Sequence, residues 1–458
     1  LRYEEEIARL KRGDEISEDH RPLLPSSTAG QVALAGLQST LGEKRMAPSG
    51  SAEEAHQRNV RSRDNSHNNG AIGDIATAAM ASTASLSSNS NSATAAVTGS
   101  NSLAHSTSAA YDWLVTYNPK AQRLLSIDLL QSLNFEGVVC CVRFSNSGKY
   151  LAASGNKLCN IYDAKSGTKL ASFPHDSADG GDLYVRSLSF NLSDELFATG
   201  SEDNSIRVWD MSNLPEAPNL TQTLKGHTQD VYALEFLDND RIVSGSGDQT
   251  LKLWSVSEGK CLTSIQSQLN SSSENGDGPR EAGITSLSVS QNRKLIATGS
   301  QDRRVRVFEN VEDLKEFKLI ETFEGHLDSV YSVTFDPHDL TVISGSLDRT
   351  IRKWSLNFTK NSENASSEKC LQVISNHRDF VLSVAVSFPT KSSRPFIISG
   401  SKDRSVQFWD ESTETQQLTL QGHKNSVISV AMSPAGGVFA TGSGDGRARI
   451  WSFTSKTE

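Results

Sequence analysis

Three residue types that together make a hydrolytic centre recur along this chain. His227, Ser244 and Asp248 form the first set, followed by His326, Ser344 and Asp348, by His377, Ser399 and Asp403, and by His423, Thr441 and Asp445. A hydroxyl activated by an imidazole, itself oriented by a carboxylate, is the chemistry of acyl transfer. A catalytic triad is needed once, however, and this one is written four times. Each copy also stands in register with a tryptophan six residues after the Asp: Trp254, Trp354, Trp409 and Trp451. A buried carboxylate must be paired and an indole N–H needs an acceptor, so the repeated set reads as scaffolding. The sequence shows no metal-ligand spacing and no phosphate-cradling glycine loop opening a helix. No enzyme, cofactor or metal site is expected.

The elements that must position these residues follow from the same repeat. An acidic or amide residue stands six positions before an aromatic seven times: Asn156/Tyr162, Asp203/Trp209, Asp248/Trp254, Asp302/Phe308, Asp348/Trp354, Asp403/Trp409 and Asp445/Trp451. Successive aromatics lie 42 to 55 residues apart, the period of four-stranded propeller blades, and five of the six tryptophans occupy this slot. Within a unit, VYALEF, RIVSGS and TLKLW read as short strands separated by turn residues. A lone four-stranded sheet leaves two faces open, so each unit must stack on its neighbours, and seven in a ring solve the problem. The expected fold is all-β, a seven-bladed β-propeller. The last unit writes only three strands, and RLLSIDLLQSL at 123–133 is expected to close it.

Composition divides the 458 residues into three. Residues 1–12 place Tyr3, Ile7 and Leu10 at helical spacing and read as the end of a longer amphipathic helix. Residues 13–110 contain no aromatic residue and no cysteine. They are too poor in apolar side chains to offset an ordering cost of about 1–2 kcal/mol per residue, and read as a disordered Ser/Thr/Asn/Ala-rich linker. Residues 111–458 are the folded body. The net charge of −9 argues against a protein that simply coats nucleic acid, and no run of 18 apolar residues could span a bilayer. The chain reads as a fragment of a longer intracellular protein. Its five cysteines have no metal-like spacing and are expected to be free buried thiols.

The stretches VVCCVRFSNSGKYLAASGNK, DLYVRSLSF, DFVLSV with SGSKDRSVQFWD, and GHKNSVISV with VFATGSGDGRARIW resemble the fungal Tup-type general transcriptional co-repressors, Groucho-related members of the WD-repeat family. RYEEEIARLK is similar to the end of that family's oligomerisation helix. The resemblance implies hydrogen-bonded tetrads in four blades: His227–Ser244–Asp248–Trp254, His326–Ser344–Asp348–Trp354, His377–Ser399–Asp403–Trp409 and His423–Thr441–Asp445–Trp451. Three blades depart from the pattern. The first has Phe135 in the His slot, the fourth has no His and carries Phe308, and in the second His175 lies ten residues before Val185 instead of four. These are expected to rely on packing and to be less rigid.

The resemblance further implies a nuclear, non-catalytic co-repressor. Its propeller would dock on DNA-bound repressor proteins without direct sequence-specific DNA contact or membrane attachment. Its N-terminal helix would form a homotetramer and bind a tetratricopeptide-repeat co-repressor, and the assembly would engage histone tails and histone deacetylases. In this architecture one mouth of the channel collects the bulge residue of each first strand, the residue two before it and the one before the turn Asp. Cys140, Tyr184, Arg186, Glu202, Asp230, Tyr232, Tyr331, Leu347, Phe380, Leu382, Lys402, Asn425 and Ile428 are the expected partner-binding set. Tyr184, Tyr232, Tyr331, Phe380 and Leu347 would be its anchors, while Glu202 and Asp230 would be open to a basic segment. Cys140 and Asn425 match binding-face residues of the resembled family. The competing readings are a cytoplasmic WD-repeat signalling scaffold and a ubiquitin-ligase substrate receptor.

Overall fold

In the computed structural model the described residues are 112–455 except 177–179, 216–217, 268–281, 312–315, 357–368 and 389–394. The expected helix end (1–12) and linker (13–110) lie outside them. Among the described residues there is no helix. The strands assemble into seven antiparallel sheets. Blades one to seven are numbered here by their innermost strands: Cys141–Phe144, Val185–Phe190, Val231–Phe236, Ile284–Val289, Val330–Phe335, Val381–Val386 and Val427–Met432. The fold is a seven-bladed β-propeller.

The hydrophobic clusters lie between blades rather than within them. Ile161 and Phe173 of blade one pack with Phe190, Phe197 and Trp209 of blade two, and Phe408 of blade six meets Phe439 of blade seven edge-on at 5.1 Å. The glycine in the recurring Ser/Thr-Gly-Ser string follows from this stacking. A Cβ on Gly345 would stand 2.7 Å from Val381 of the next blade, and one on Gly442 would stand 2.7 Å from Val139, where blade seven meets blade one. A second device joins the blades nearer the axis. The backbone N–H groups of Val142, Val430, Val384 and Val333 donate to the hydroxyls of Ser429, Ser383, Ser332 and Ser286, each on the neighbouring blade, at 2.9–3.1 Å. The sequence signal for this belt is a serine directly after the bulge residue.

The outer strand of blade seven is Leu125–Asn134, antiparallel to Arg447–Ser455 with Leu129 opposite Trp451. A further strand had no periodic signal. Leu114–Tyr117 adds to the edge of blade six along Gln416–Gln421 and makes that sheet five-stranded. It is held from its N-terminal side: Trp113 meets Trp451 edge-on at 5.7 Å, and Asp112 binds the guanidinium of Arg449, which is 1% exposed. All five cysteines are free, but only Cys140 and Cys159 are buried; Cys141 and Cys370 are half-buried, and Cys261 is exposed because its outer strand faces solvent.

Candidate functional site

Each repeated His sits on the turn entering a blade; the rings of His227 and His326 lie 5.8 and 5.9 Å from those of Trp254 and Trp354. In blade three, His227 Nδ1 lies 2.8 Å from Asp248 and Nε2 2.7 Å from Ser244, whose hydroxyl also accepts the Trp254 indole at 2.8 Å. His326–Ser344–Asp348–Trp354 and His423–Thr441–Asp445–Trp451 repeat this chain. In blade six His377 reaches Asp403 at 2.9 Å and Ser399 at 2.7 Å, but Trp409 Nε1 finds no acceptor among the described residues. The carboxylates hold the loops: Asp348 accepts the Leu327 N–H at 2.9 Å and the Thr350 hydroxyl at 2.6 Å. Burial alone would raise the carboxyls of Asp248, Asp348 and Asp403. The bonds from His, Thr or Ser and the backbone outweigh it and hold them well below the usual range. The hydroxyls of Ser244, Ser344, Ser399 and Thr441 are wholly buried, so no substrate can reach them in the folded blade.

The departing blades are not left to packing alone. In blade two His175 bends back into the slot despite its distance from Val185, 2.8 Å from Thr199 and 1% exposed. It makes no bond to Asp203, which instead pairs with Arg207 at 2.6 Å. In blade four Arg306, which is 3% exposed, pairs with Asp302, which is 6% exposed, and also donates to Ser300. An Asp buried in the turn needs a partner, and an Arg four residues on can reach back from the next strand. That Arg was the overlooked sequence signal.

Burial, with a smaller push from Arg207, lowers the pKa of His175 to about 4. It is thus neutral in the fold at a pH where the unfolded chain, titrating near the ordinary value of about 6.5, has begun to bind a proton. Its contribution is therefore intact above pH ~6.5 and lost as pH falls from there toward ~4, by up to about 3 kcal/mol. Burial also lowers the pKa of His326, which adds a loss in the same direction as pH falls below the ordinary value of about 6.5, and the tetrad carboxylates add theirs only below about pH 4. Urea titrations across this range should show a decline in the native chain that is clearly smaller in His175→Gln. A decline of undiminished size would rule His175 out as a source.

At the mouth of the central channel the ladder of each first strand slips by one residue. The extra residues are Arg186, Tyr232, Thr285, Tyr331, Leu382 and Ile428, with Cys140 at the matching place in blade one. All seven line a channel of about 470 Å³. Val138, Cys140, Tyr184, Leu347, Leu382 and Ile428 converge in a single apolar cluster, with Tyr331 and Phe380 packed on it. The structure thus gathers the apolar members of the expected set other than Tyr232, but not all as open anchors. Tyr184 is 3% and Leu347 4% exposed, because side chains from five blades cover one another. Tyr232, Tyr331 and Phe380 remain half-buried.

The polar members divide similarly. Glu202 accepts the Tyr184 N–H at 3.0 Å and binds Arg186, whose guanidinium lies 5.2 Å from the Tyr184 ring, so this carboxylate is occupied internally. Lys402 stands 4.9 Å over the Phe380 ring. Asn425 caps the Ser426 N–H at 2.7 Å, and Asp230 is half-buried, its carbonyl accepting Gly247 N–H. The arrangement offers an apolar floor with aromatic edges, which suits recognition of another surface.

The WD domain, G-beta repeat family matches seven segments, residues 128–163, 167–210, 218–255, 272–309, 317–355, 368–410 and 414–452. The first runs from the outer strand of blade seven through three strands of blade one, so the sequence repeat straddles the ring closure. Over 352 residues the chain is 44% identical to the transcriptional repressor rco-1 of Neurospora crassa, covering 75% of this chain and 55% of that one. Over 404 residues it is 36% identical to the general transcriptional corepressor TUP1 of Saccharomyces cerevisiae, covering 75% and 54%. A shorter match, 45% over 121 residues, joins 26% of the chain to 20% of the general transcriptional corepressor tupA of Dictyostelium discoideum. The chain spans about half the length of the first two relatives. With the matched repeat, the seven sheets and the buried His–Ser/Thr–Asp chains all in one register, this chain belongs to the WD-domain, G-beta-repeat (WD40) family.

Proposed function

We propose that this chain is the docking portion of a general transcriptional co-repressor, a nuclear adaptor without catalytic activity. Its propeller mouth receives DNA-bound repressor proteins. The longer protein assembles as a homotetramer with a tetratricopeptide-repeat co-repressor and engages histone tails and deacetylases. Similarity to two proteins named as general transcriptional corepressors and one named as a transcriptional repressor supports the class. The observation that carries the docking site is the apolar cluster at the mouth, rimmed by the half-buried rings of Tyr331 and Phe380. Aromatic anchors around a desolvated centre are where binding energy concentrates.

The test is Tyr331→Ala combined with Phe380→Ala, read by capture of a repressor on its operator DNA and by a reporter gene. Capture should fall by about tenfold or more, with the melting temperature held within a few degrees. Unchanged capture would remove the mouth from the mechanism. Leu347→Ala is unsuitable here, because truncating a side chain this buried should cost about 2–5 kcal/mol of stability by itself.

A further inference from the structure

The turn after each second strand lies at the same end of the blade as the mouth, since the start of the first strand pairs with the end of the second, Val330 opposite Ser346 for example. One residue in each of these turns adopts positive φ, the left-handed region that favours glycine. Blade seven has Gly446 there, at φ 75°. Blades four, five and six instead have Arg303, Arg349 and Arg404, at φ 72°, 70° and 69°. All three close the same bond, donating their N–H to Ser300, Ser346 and Ser401 as Gly446 does to Ser443. The backbone thus gains nothing from an arginine, and strain kept without local benefit points to a use for the side chain.

All three side chains are exposed, and none makes an ion pair or side-chain hydrogen bond among the described residues. The carboxylates of the same sector are committed to their own loops. Asp302 holds Arg306, Asp348 and Asp403 hold their histidines, and Asp379 accepts the Phe380 N–H at 2.9 Å. Blades two and three carry Asn204 and Gln249 at the same position, and blade one carries Lys157, whose ammonium donates to the Gly180 carbonyl at 2.6 Å, so the arc of arginines is confined to one side of the mouth. On that side stand the half-buried rings of Tyr331 and Phe380.

We propose that Arg303, Arg349 and Arg404, with Tyr331 and Phe380, receive an extended protein segment in which carboxylate side chains flank an apolar one. This rests on the reading of the mouth as a docking surface and assigns the chemistry of what docks there. The guanidiniums select acidic flanks and speed encounter, and the aromatic rings take the apolar side chain.

Three labelled probes test it on the full chain: a peptide of Glu around Leu and Phe, the same peptide with Lys for each Glu, and a short DNA duplex. The variant is Arg303→Asn/Arg349→Asn/Arg404→Asn, which keeps the turn because Asn204 already adopts it. The native chain should bind the acidic peptide about tenfold tighter than the basic one, with an affinity that weakens as salt rises. The triple variant should lose both the preference and the salt dependence while melting as before. Equal binding of the acidic peptide by native chain and variant, or a native preference for the basic peptide, would overturn the proposal. So would a loss in the variant confined to the DNA duplex, which would make the arc a phosphate contact. If repressor capture survives Tyr331→Ala/Phe380→Ala, the docking reading fails. If it falls there but not in the arginine variant, only the arc's role fails.

Discussion

A chain beginning after Asn134 is expected to lose its single cooperative unfolding transition. Leu125–Asn134 is the outer strand of blade seven, while the residues that follow it begin blade one, so this segment ties the two ends of the ring. Its loss would expose the edge of Arg447–Ser455 and remove the buried side chains of Leu125, Ile127 and Leu133. Burial of such aliphatics is worth about 1.5–3 kcal/mol each. The truncation also removes Asp112, the described counter-ion of the buried Arg449, and stranding a buried charge costs about 3–5 kcal/mol. Together these rival the whole stability of an ordinary domain, about 5–15 kcal/mol. Circular dichroism melting of the truncated chain should give a broad, shallow transition or aggregation. A sharp melt at the native midpoint would show that ring closure does not depend on this strand.

The repeat was legible because every blade faces the same burial problem and answers it with the same residues. The Asp and aromatic slots, spaced evenly, mark seven sheets before any coordinate is known. The bulge residues are equally visible, since each follows a Val or Ile that begins a strand. What was hidden depends on relations between segments. His175 fills its slot, but an insertion before Val185 hides this from a reading by spacing. Trp409 has the right type at the right place, yet its indole misses Ser399, and residue types carry no such geometry. Leu114–Tyr117 joins a sheet written some 300 residues later, with no periodicity to announce it. The mouth mixes both cases. Positions alone nominate Tyr184, Leu347 and Tyr331 equally. Only their packing across the channel shows that the first two are buried in the shared cluster while Tyr331 keeps an open edge.

Arg306→Met should be among the most destabilising single substitutions in blade four. That blade has no His to bind its turn carboxylate and no indole to bind its threonine, and Thr298 Oγ1 is left without a partner among the described residues. The Asp302–Arg306 pair is therefore the main tie of the turn, with both side chains almost wholly withdrawn from water; Asp302 also accepts the Arg304 N–H at 3.2 Å, and the more exposed Arg304 guanidinium lies 3.9 Å away. Removing the cation leaves a buried carboxylate and should cost about 3–5 kcal/mol; Asp302→Leu, which strands the guanidinium, should cost a similar amount. Replacing both at once removes the desolvation problem along with the attraction, so the double variant should lie close to the native chain. Urea midpoints around this cycle would then give a coupling energy nearly as large as either single loss. In blade two Asp203 and Arg207 make the same pair, but 31% and 14% of their side-chain surface reaches solvent, so Arg207→Met should cost distinctly less. If Arg306→Met costs no more than Arg207→Met, burial is not what gives the pair its weight, and blade four must be held by the packing of Phe308 instead.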